Sequence, residues 1–290
     1  LGGQRGPVPV VVHRGYGLPG WVGPADLVVP VSASGETDET LSAAEEALRR
    51  GARVFSVGRP GSPLAERTAE RGPFASVADP RDGRAGLWQL AVPLVVLAHE
   101  LGLAPAGDDV LEETAVLLET LTDRYGPARD SFLNPAKALA VALVGRTPLI
   151  WGSSPSAGVA ADRFAAQLAG DAKTPAMSGL LPDVGHNALA VLDMPAGRSA
   201  PGGVTPLHVV VLREADEVEL IGRRADALRE LAAARDVAVD VVTAEGESPV
   251  ARLASLVAFA DFTAVYLSVL LGVDPTATSA TAELKTRTRT

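Results

Sequence analysis

A chain of 290 residues, 47% of them hydrophobic, is long enough for two buried cores of ordinary domain size. Its 26 basic and 35 acidic side chains leave a formal charge of −9, which excludes the electrostatic footprint of a nucleic-acid binder and requires any anionic ligand to be held by a local device. Cysteine is absent, which removes disulfides, thiolate nucleophiles and thiolate metal sites and fits a reducing cytoplasm.

The first residues, Leu1 to Gly6, lack the apolar run of a signal peptide and, without an initiator methionine, read as a truncated start. Apolar runs at Val8 to Val12, Leu27 to Val31 and Arg53 to Val57 alternate with helical patterns at Asp38 to Arg50 and Pro63 to Arg71. Such alternation predicts βαβ units on a parallel sheet. Pro30 withholds a ladder hydrogen bond inside the second of these strands. Helices are expected over Leu87 to Leu103 and Asp109 to Tyr125, then a loop from Gly126 to Leu133. The cycle restarts with a helix at Pro135 to Val144, a strand at Pro148 to Trp151 and a helix at Ser156 to Ala169. Further strands are expected at Leu207 to Leu212 and Val237 to Val242, with helices at Ala215 to Arg235 and Pro249 to Leu271. The second of these helices carries Arg252, Asp261 and several small residues, so it reads as a buried helix rather than a membrane span. Asp193 to Pro206 is a Gly- and Pro-rich loop, and a short helix around Ala280 to Lys285 ends the chain. The class is α/β, with two doubly wound parallel-sheet domains at 1–129 and 130–290.

Ser32-Ala33-Ser34-Gly35-Glu36-Thr37 stands where an apolar strand ends and a helix begins, the place where an open parallel sheet binds ligands. Three hydroxyls, a glycine and the free N–H groups of a helix start can cradle a phosphate without lysine or arginine. The alternative for the same residues is a helix cap rich in hydroxyls. Gly152-Ser153-Ser154 reads chiefly as a strand-to-helix turn, with a degenerate phosphate loop as the alternative. Gly15-Tyr16-Gly17 lacks the third glycine of a dinucleotide fingerprint. His13, His99, His186 and His208 are scattered, so no metal site is expected, and the lone histidines other than His186 read as structural.

Val31 to Thr40 followed by Arg50-Gly51-Ala52 resembles the phosphate motif of sugar isomerase (SIS) domains. His13 to Pro19, Asn134-Pro135-Ala136-Lys137, Asp171-Ala172-Lys173, Leu181 to Asn187, Gly272-Val273-Asp274-Pro275 and Leu284-Lys285 narrow the likeness. In this order they resemble the bifunctional phosphoglucose/phosphomannose isomerases, which consist of two flavodoxin-like SIS domains. The resemblance implies a cytoplasmic homodimer, needing no cofactor, that binds a phosphorylated sugar between its domains and moves a proton between C1 and C2 through an enediol. It implies that Ser32, Ser34, Gly35 and Thr37 hold the phosphate. His186, reaching across from the partner subunit, would open the sugar ring, and Arg84, with Arg81 as the alternative, would steady the enediolate. Lys285 would face the sugar, and Thr278 would admit both epimers. The family places its basic glutamate sixteen residues before the histidine. This chain carries Gly170 there, and Asp171 is the nearest carboxylate for that role. Its only three lysines, Lys137, Lys173 and Lys285, all fall inside these motifs.

Overall fold

The computed structural model describes residues 6–77, 86–193 and 206–288. The chain divides into two compact units, Leu1–Gly107 and Asp108–Thr290.

In the first unit, strands β1 (Leu27–Val28) and β2 (Val31–Ser32) are two halves of one predicted strand. β3 (Arg53–Val54) and β4 (Ser56–Gly58) are likewise halves of the next, and β5 (Phe74–Ser76) follows. β1 pairs with β3, and β2, β4 and β5 lie side by side, all parallel. The interruption falls at Val29-Pro30, where the proline has no N–H to donate, but single bonds carry the ladder across it. Phe55 N–H donates to Val28 C=O at 3.2 Å and Val57 N–H to Pro30 C=O at 3.0 Å. Helix α1 (Asp38–Arg49) follows β2 and buries Ala44 and Ala47, α2 (Pro63–Thr68) follows β4, and α3 (Leu87–Glu100) completes the unit.

Val8 to Val12 does not form the expected strand. It has no regular structure, and Val8, Val10, Val11 and Val12 are 52% to 76% exposed. High β propensity does not make a strand by itself, because N–H and C=O groups need a neighbouring ladder, and no described segment pairs with this run.

In the second unit, α4 (Asp108–Tyr125) and α5 (Pro135–Leu143) precede β6 (Thr147–Gly152), α6 (Pro155–Gly170) and β7 (Met177–Leu180). Then come β8 (Leu207–Arg213), α7 (Glu219–Ala233), β9 (Ala238–Thr243), α8 (Pro249–Leu271) and α9 (Ser279–Thr288). The four strands are parallel in the order β7-β6-β8-β9, so the chain reverses direction across the sheet between β6 and β8. Alternate residues serve opposite faces, as the pleat requires. Ile150, Val210 and Leu212 pack with Phe164, Leu256 and Leu267, whereas Leu149, Trp151, Val209 and Val211 pack with Leu228, Leu181 and Val184.

Helix α8 is mostly apolar and packs on α4, α5 and α6. It is long and apolar enough to cross a membrane, yet most of its most apolar stretch is buried inside the unit, which is the part a core helix plays. Arg163 on α6 reaches Asp261 on α8 with two bonds at 3.0 and 2.7 Å. Burial pushes the Asp261 carboxyl up against the opposing pull of Arg163.

Candidate functional site

The loop between β2 and α1 is built by short-range bonding. Ser32 Oγ, buried, accepts from Gly35 N–H at 3.0 Å and shares a 2.9 Å bond with Thr37 Oγ1. Ser34 Oγ accepts from Glu36 N–H at 3.2 Å and stays exposed, as does Thr37. Thr37 is the N-cap of α1, but no side chain caps the helix, so its first-turn N–H groups are not taken by a side-chain acceptor.

Gly35 is the residue on which this arrangement turns. Its φ of +68° lies in the left-handed region, and a Cβ there would stand 2.0 Å from Ser62 Oγ and 2.3 Å from Ser62 Cβ. Gly35 C=O accepts from Leu64 N–H at 3.0 Å, so the start of α2 supports the loop from behind. Gly58 lets the two strand ends close up, since a Cβ there would meet Ser32 C=O at 2.7 Å. The loop is tight on its inner side, at Ser32 and Ser62, and open on its outer side, at Ser34, Glu36 and Thr37. A cap would direct a side-chain oxygen at the α1 N–H groups, and none is so directed.

The second unit carries the other expected residues at two edges of its sheet. Gly170 ends α6 and Asp171 is its C-cap, 6% exposed, with its N–H donating to Gln167 C=O at 2.7 Å. Lys173, at a left-handed φ of 53°, donates from Nζ to Gly170 C=O and, at 2.8 Å, to Ala277 C=O. One ammonium thus ties the Gly170 to Lys173 turn to the turn before α9. In that turn Asp274 accepts from Thr276 Oγ1 at 2.7 Å and from Thr276 N–H at 2.8 Å, and these bonds hold its carboxyl below the ordinary value of 3.8. Thr278 lies next to Ala277, and its C=O accepts from Ala282 N–H at 2.9 Å. Thr278 directly precedes the exposed helix α9, and Lys285 lies seven residues further on, inside that helix.

His186 stands elsewhere. It follows the short 3-10 turn Asp183–Gly185 beyond the C-terminal end of β7, is exposed, and donates its N–H to Asp183 C=O at 2.9 Å. With Trp151, Leu181, Pro182, Arg224 and Leu231 it lines a largely apolar cavity of about 290 Å³. Asp171 and Lys173 precede β7 and lie at the N-terminal edge of the sheet, whereas His186 lies past the opposite edge. The four residues of β7, which alone span about 13 Å, lie between them in the chain. Within one chain the structure therefore joins Gly170, Asp171 and Lys173 to Ala277 and Thr278, and keeps His186 apart from them. Arg84 and Arg81 lie outside the described residues.

Gly152-Ser153-Ser154 behaves as the strand-to-helix turn expected of it. Ser154 Oγ caps α6 by accepting from Ala157 N–H at 3.1 Å. What sequence reading missed is Glu214, which follows β8 at the reversal point of the sheet and is buried there. Its carboxylate accepts from Ser154 Oγ at 2.6 Å and from Ser156 Oγ at 2.8 and 2.9 Å. A carboxylate of the chain itself thus occupies the helix start where a second anion would otherwise sit. No local pattern marks it, because Glu214 lies 60 residues from Ser154.

Two of the three lysines are structural bridges. Lys137 Nζ donates to Pro127 C=O at 2.9 Å and Arg129 C=O at 2.8 Å and lies 5.4 Å from the Tyr266 ring centre. Asn134 caps α5 and donates to Tyr125 C=O at 2.8 Å, which makes Asn134 to Lys137 a folding motif. His99 accepts from Ala106 N–H at 3.2 Å and His208 bonds Asp240 at 2.7 Å, both structural parts. Among the described residues no cluster of three or more His, Asp or Glu side chains is placed to hold a metal ion.

Residues 132–288 match the family described as bacterial phospho-glucose isomerase C-terminal SIS domain. A bifunctional phosphoglucose/phosphomannose isomerase of Caldicellulosiruptor bescii is 32% identical over 272 residues, covering 93% of this chain and 78% of the relative. One of Aquifex aeolicus is 28% identical over 267 residues, covering 92% and 77%. In structure, a glucose-6-phosphate isomerase-like protein from Thermus thermophilus superposes with a TM-score of 0.60 at 24% identity, covering 95% of this chain and 91% of the other. Tagatose-6-phosphate ketose/aldose isomerase from Escherichia coli gives a TM-score of 0.67 at 14% identity, covering 89% and 73%. These two show the shared fold.

Proposed function

Because the chain belongs to the bifunctional phosphoglucose/phosphomannose isomerase family, we propose that it interconverts fructose 6-phosphate with glucose 6-phosphate and mannose 6-phosphate. The observation that carries the proposal is the loop from Ser32 to Thr37, held on its inner side by Ser32 and Ser62 and open at Ser34, Thr37 and the α1 start. In an acidic protein this is a device that holds a phosphate ester by hydroxyls and amides.

The chemistry then needs four further tasks. His186 donates and accepts the proton that opens and closes the ring, work suited to an imidazole near neutral pH. Arg84 supplies the fixed positive charge for the enediolate. Lys285 on α9 and Thr278 just before it bind the sugar hydroxyls, and Asp171 takes the proton carried between C2 and C1. The placement of His186 and Asp171 at opposite ends of one chain's sheet supports a homodimer in which His186 reaches the sugar from the second copy. In this reading the first SIS domain covers 1–129 and the second 130–290, and the protein works in the cytoplasm without a cofactor.

A second reading, a phosphosugar-binding protein without turnover, draws support from one feature. Gly170 occupies the family's glutamate position, and the neighbouring Asp171 is buried at a helix end. A coupled assay with fructose 6-phosphate separates the two. Product formation well above buffer supports the isomerase, and binding without product supports the sensor.

A further inference from the structure

The phosphate loop is surrounded by negative charge. Glu36 is inside it, Asp38 and Glu39 open α1, and a phosphomonoester brings a charge approaching −2 at neutral pH. Four of the first unit's arginines are engaged away from the loop: Arg49 and Arg50 with Glu46, Arg67 with Glu45, and Arg53 with Ala25 C=O. Arg59 is placed differently. It directly follows β4, whose Gly58 is aligned with Ser32 of β2, so it projects from the same sheet edge as the loop one strand spacing away, about 4.8 Å. Its guanidinium bonds Glu36 of the loop at 2.7 Å.

We infer that Arg59 is a phosphate-binding residue of this site and that Glu36 holds it in reserve until the ester arrives. This rests on the loop being the phosphosugar site. Both side chains of the pair are close to half exposed, at 42% and 47%, and an ion pair so well solvated is weak. A phosphate seated on the α1 amides offers the planar guanidinium two oxygens at once, a better partner than one carboxylate oxygen. Arg59 therefore passes from Glu36 to the ester, and Glu36 turns to water. Glu36 acts as a competitor of the substrate for the same cation, which sets how tightly a dianion binds.

The competition gives the two variants opposite signs. In Arg59→Gln, the dissociation constant for inorganic phosphate and the KM for fructose 6-phosphate rise at least about tenfold with kcat little changed. In Glu36→Gln, both fall by about twofold to fivefold, because the competitor and its repulsion go together. Arg59→Lys keeps the charge, loses the two-pronged contact and lies between wild type and Arg59→Gln. Calorimetry and kinetics on the full chain, with melting temperatures as the check on folding, decide the matter. A pair that only braces the loop would move both variants in the same direction, and that result, or unaltered binding in Arg59→Gln, overturns the inference. If the wild type binds fructose 6-phosphate normally and Arg59→Gln does too, the inference alone falls. If the wild type binds neither ligand, the functional reading falls and takes this one with it.

Discussion

Replacing Gly35 by alanine isolates the geometry on which phosphate binding depends. Two costs add. At φ +68° an L-residue pays about 1–2 kcal/mol for the left-handed backbone. The new methyl would also lie 2.0 Å from Ser62 Oγ and 2.3 Å from Ser62 Cβ, and Ser62 is wholly buried and cannot swing aside. Overpacking of that kind costs about 1–3 kcal/mol, so the expected loss is about 2–5 kcal/mol, a large fraction of an ordinary domain's stability. The two contributions separate in a double-variant cycle with Ser62→Gly, which deletes both clashing atoms. Alone, Ser62→Gly weakens the α2 cap by only a few tenths of a kcal/mol. Combined with Gly35→Ala it recovers the overpacking share and leaves the backbone share, a coupling of about 1–3 kcal/mol. Hydrogen exchange at Leu64 N–H, which donates to Gly35 C=O, reads this loop independently of the second unit. Equal protection in wild type and Gly35→Ala, or no recovery in the double variant, would refute the reasoning.

Three further outcomes follow from the second unit. Gly170→Glu with Asp171→Asn restores a carboxylate at the last residue of α6, where the backbone is already helical. The isomerase rate should rise by about a hundredfold, and an unchanged rate would count against Gly170 as the site of the missing base. Glu214→Ala strips Ser154 and Ser156 of a buried acceptor and should lower stability by about 1–3 kcal/mol in urea unfolding. A variant as stable as wild type would contradict the part assigned to that carboxylate. Thr276→Val removes the hydroxyl that does most to depress the Asp274 titration, so the midpoint followed by NMR should move up toward 3.8. The sign is that of a depressed acid: the turn's contribution is complete above 3.8 and fades as pH falls through the lower native value. An unmoved midpoint would refute the cause given.

Much of the fold could be read from periodicity, and the exceptions have physical reasons. Pro249 to Leu271 reads as a buried helix because its long apolar run is broken by Arg252, Asp261 and several small residues, and α8 has those bounds. Phe74–Ser76 and Met177–Leu180 were not expected as strands, since Phe-Ala-Ser and Met-Ser-Gly-Leu carry no run of β-branched residues and owe their form to pairing with β4 and β6. Val8 to Val12 is the converse case, strong propensity with no described neighbour. Within the site, Ser32 to Thr37 was legible because strand end, glycine and helix start are contiguous. The Arg59 and Glu36 pair, the buttress at Ser62, the Lys173 bridge and Glu214 were not, because each joins segments that only the sheet or a distant turn brings together. The three lysines stand out as a set in the sequence, but their chemistry does not. Lys137 bonds two loop carbonyls and Lys173 bonds one at the end of α6 and one in the turn before α9, a task for a compact ammonium with three donors.

Calorimetric titration of fructose 6-phosphate into the full chain and into its Ser34→Ala/Thr37→Ala variant goes straight to the premise that exposed hydroxyls at the end of β2 grip a phosphate ester. The wild type should bind, and the variant should bind at least about tenfold more weakly while still unfolding in a cooperative melt. Equal affinity in the two proteins, or heat from neither, would contradict the account at its root.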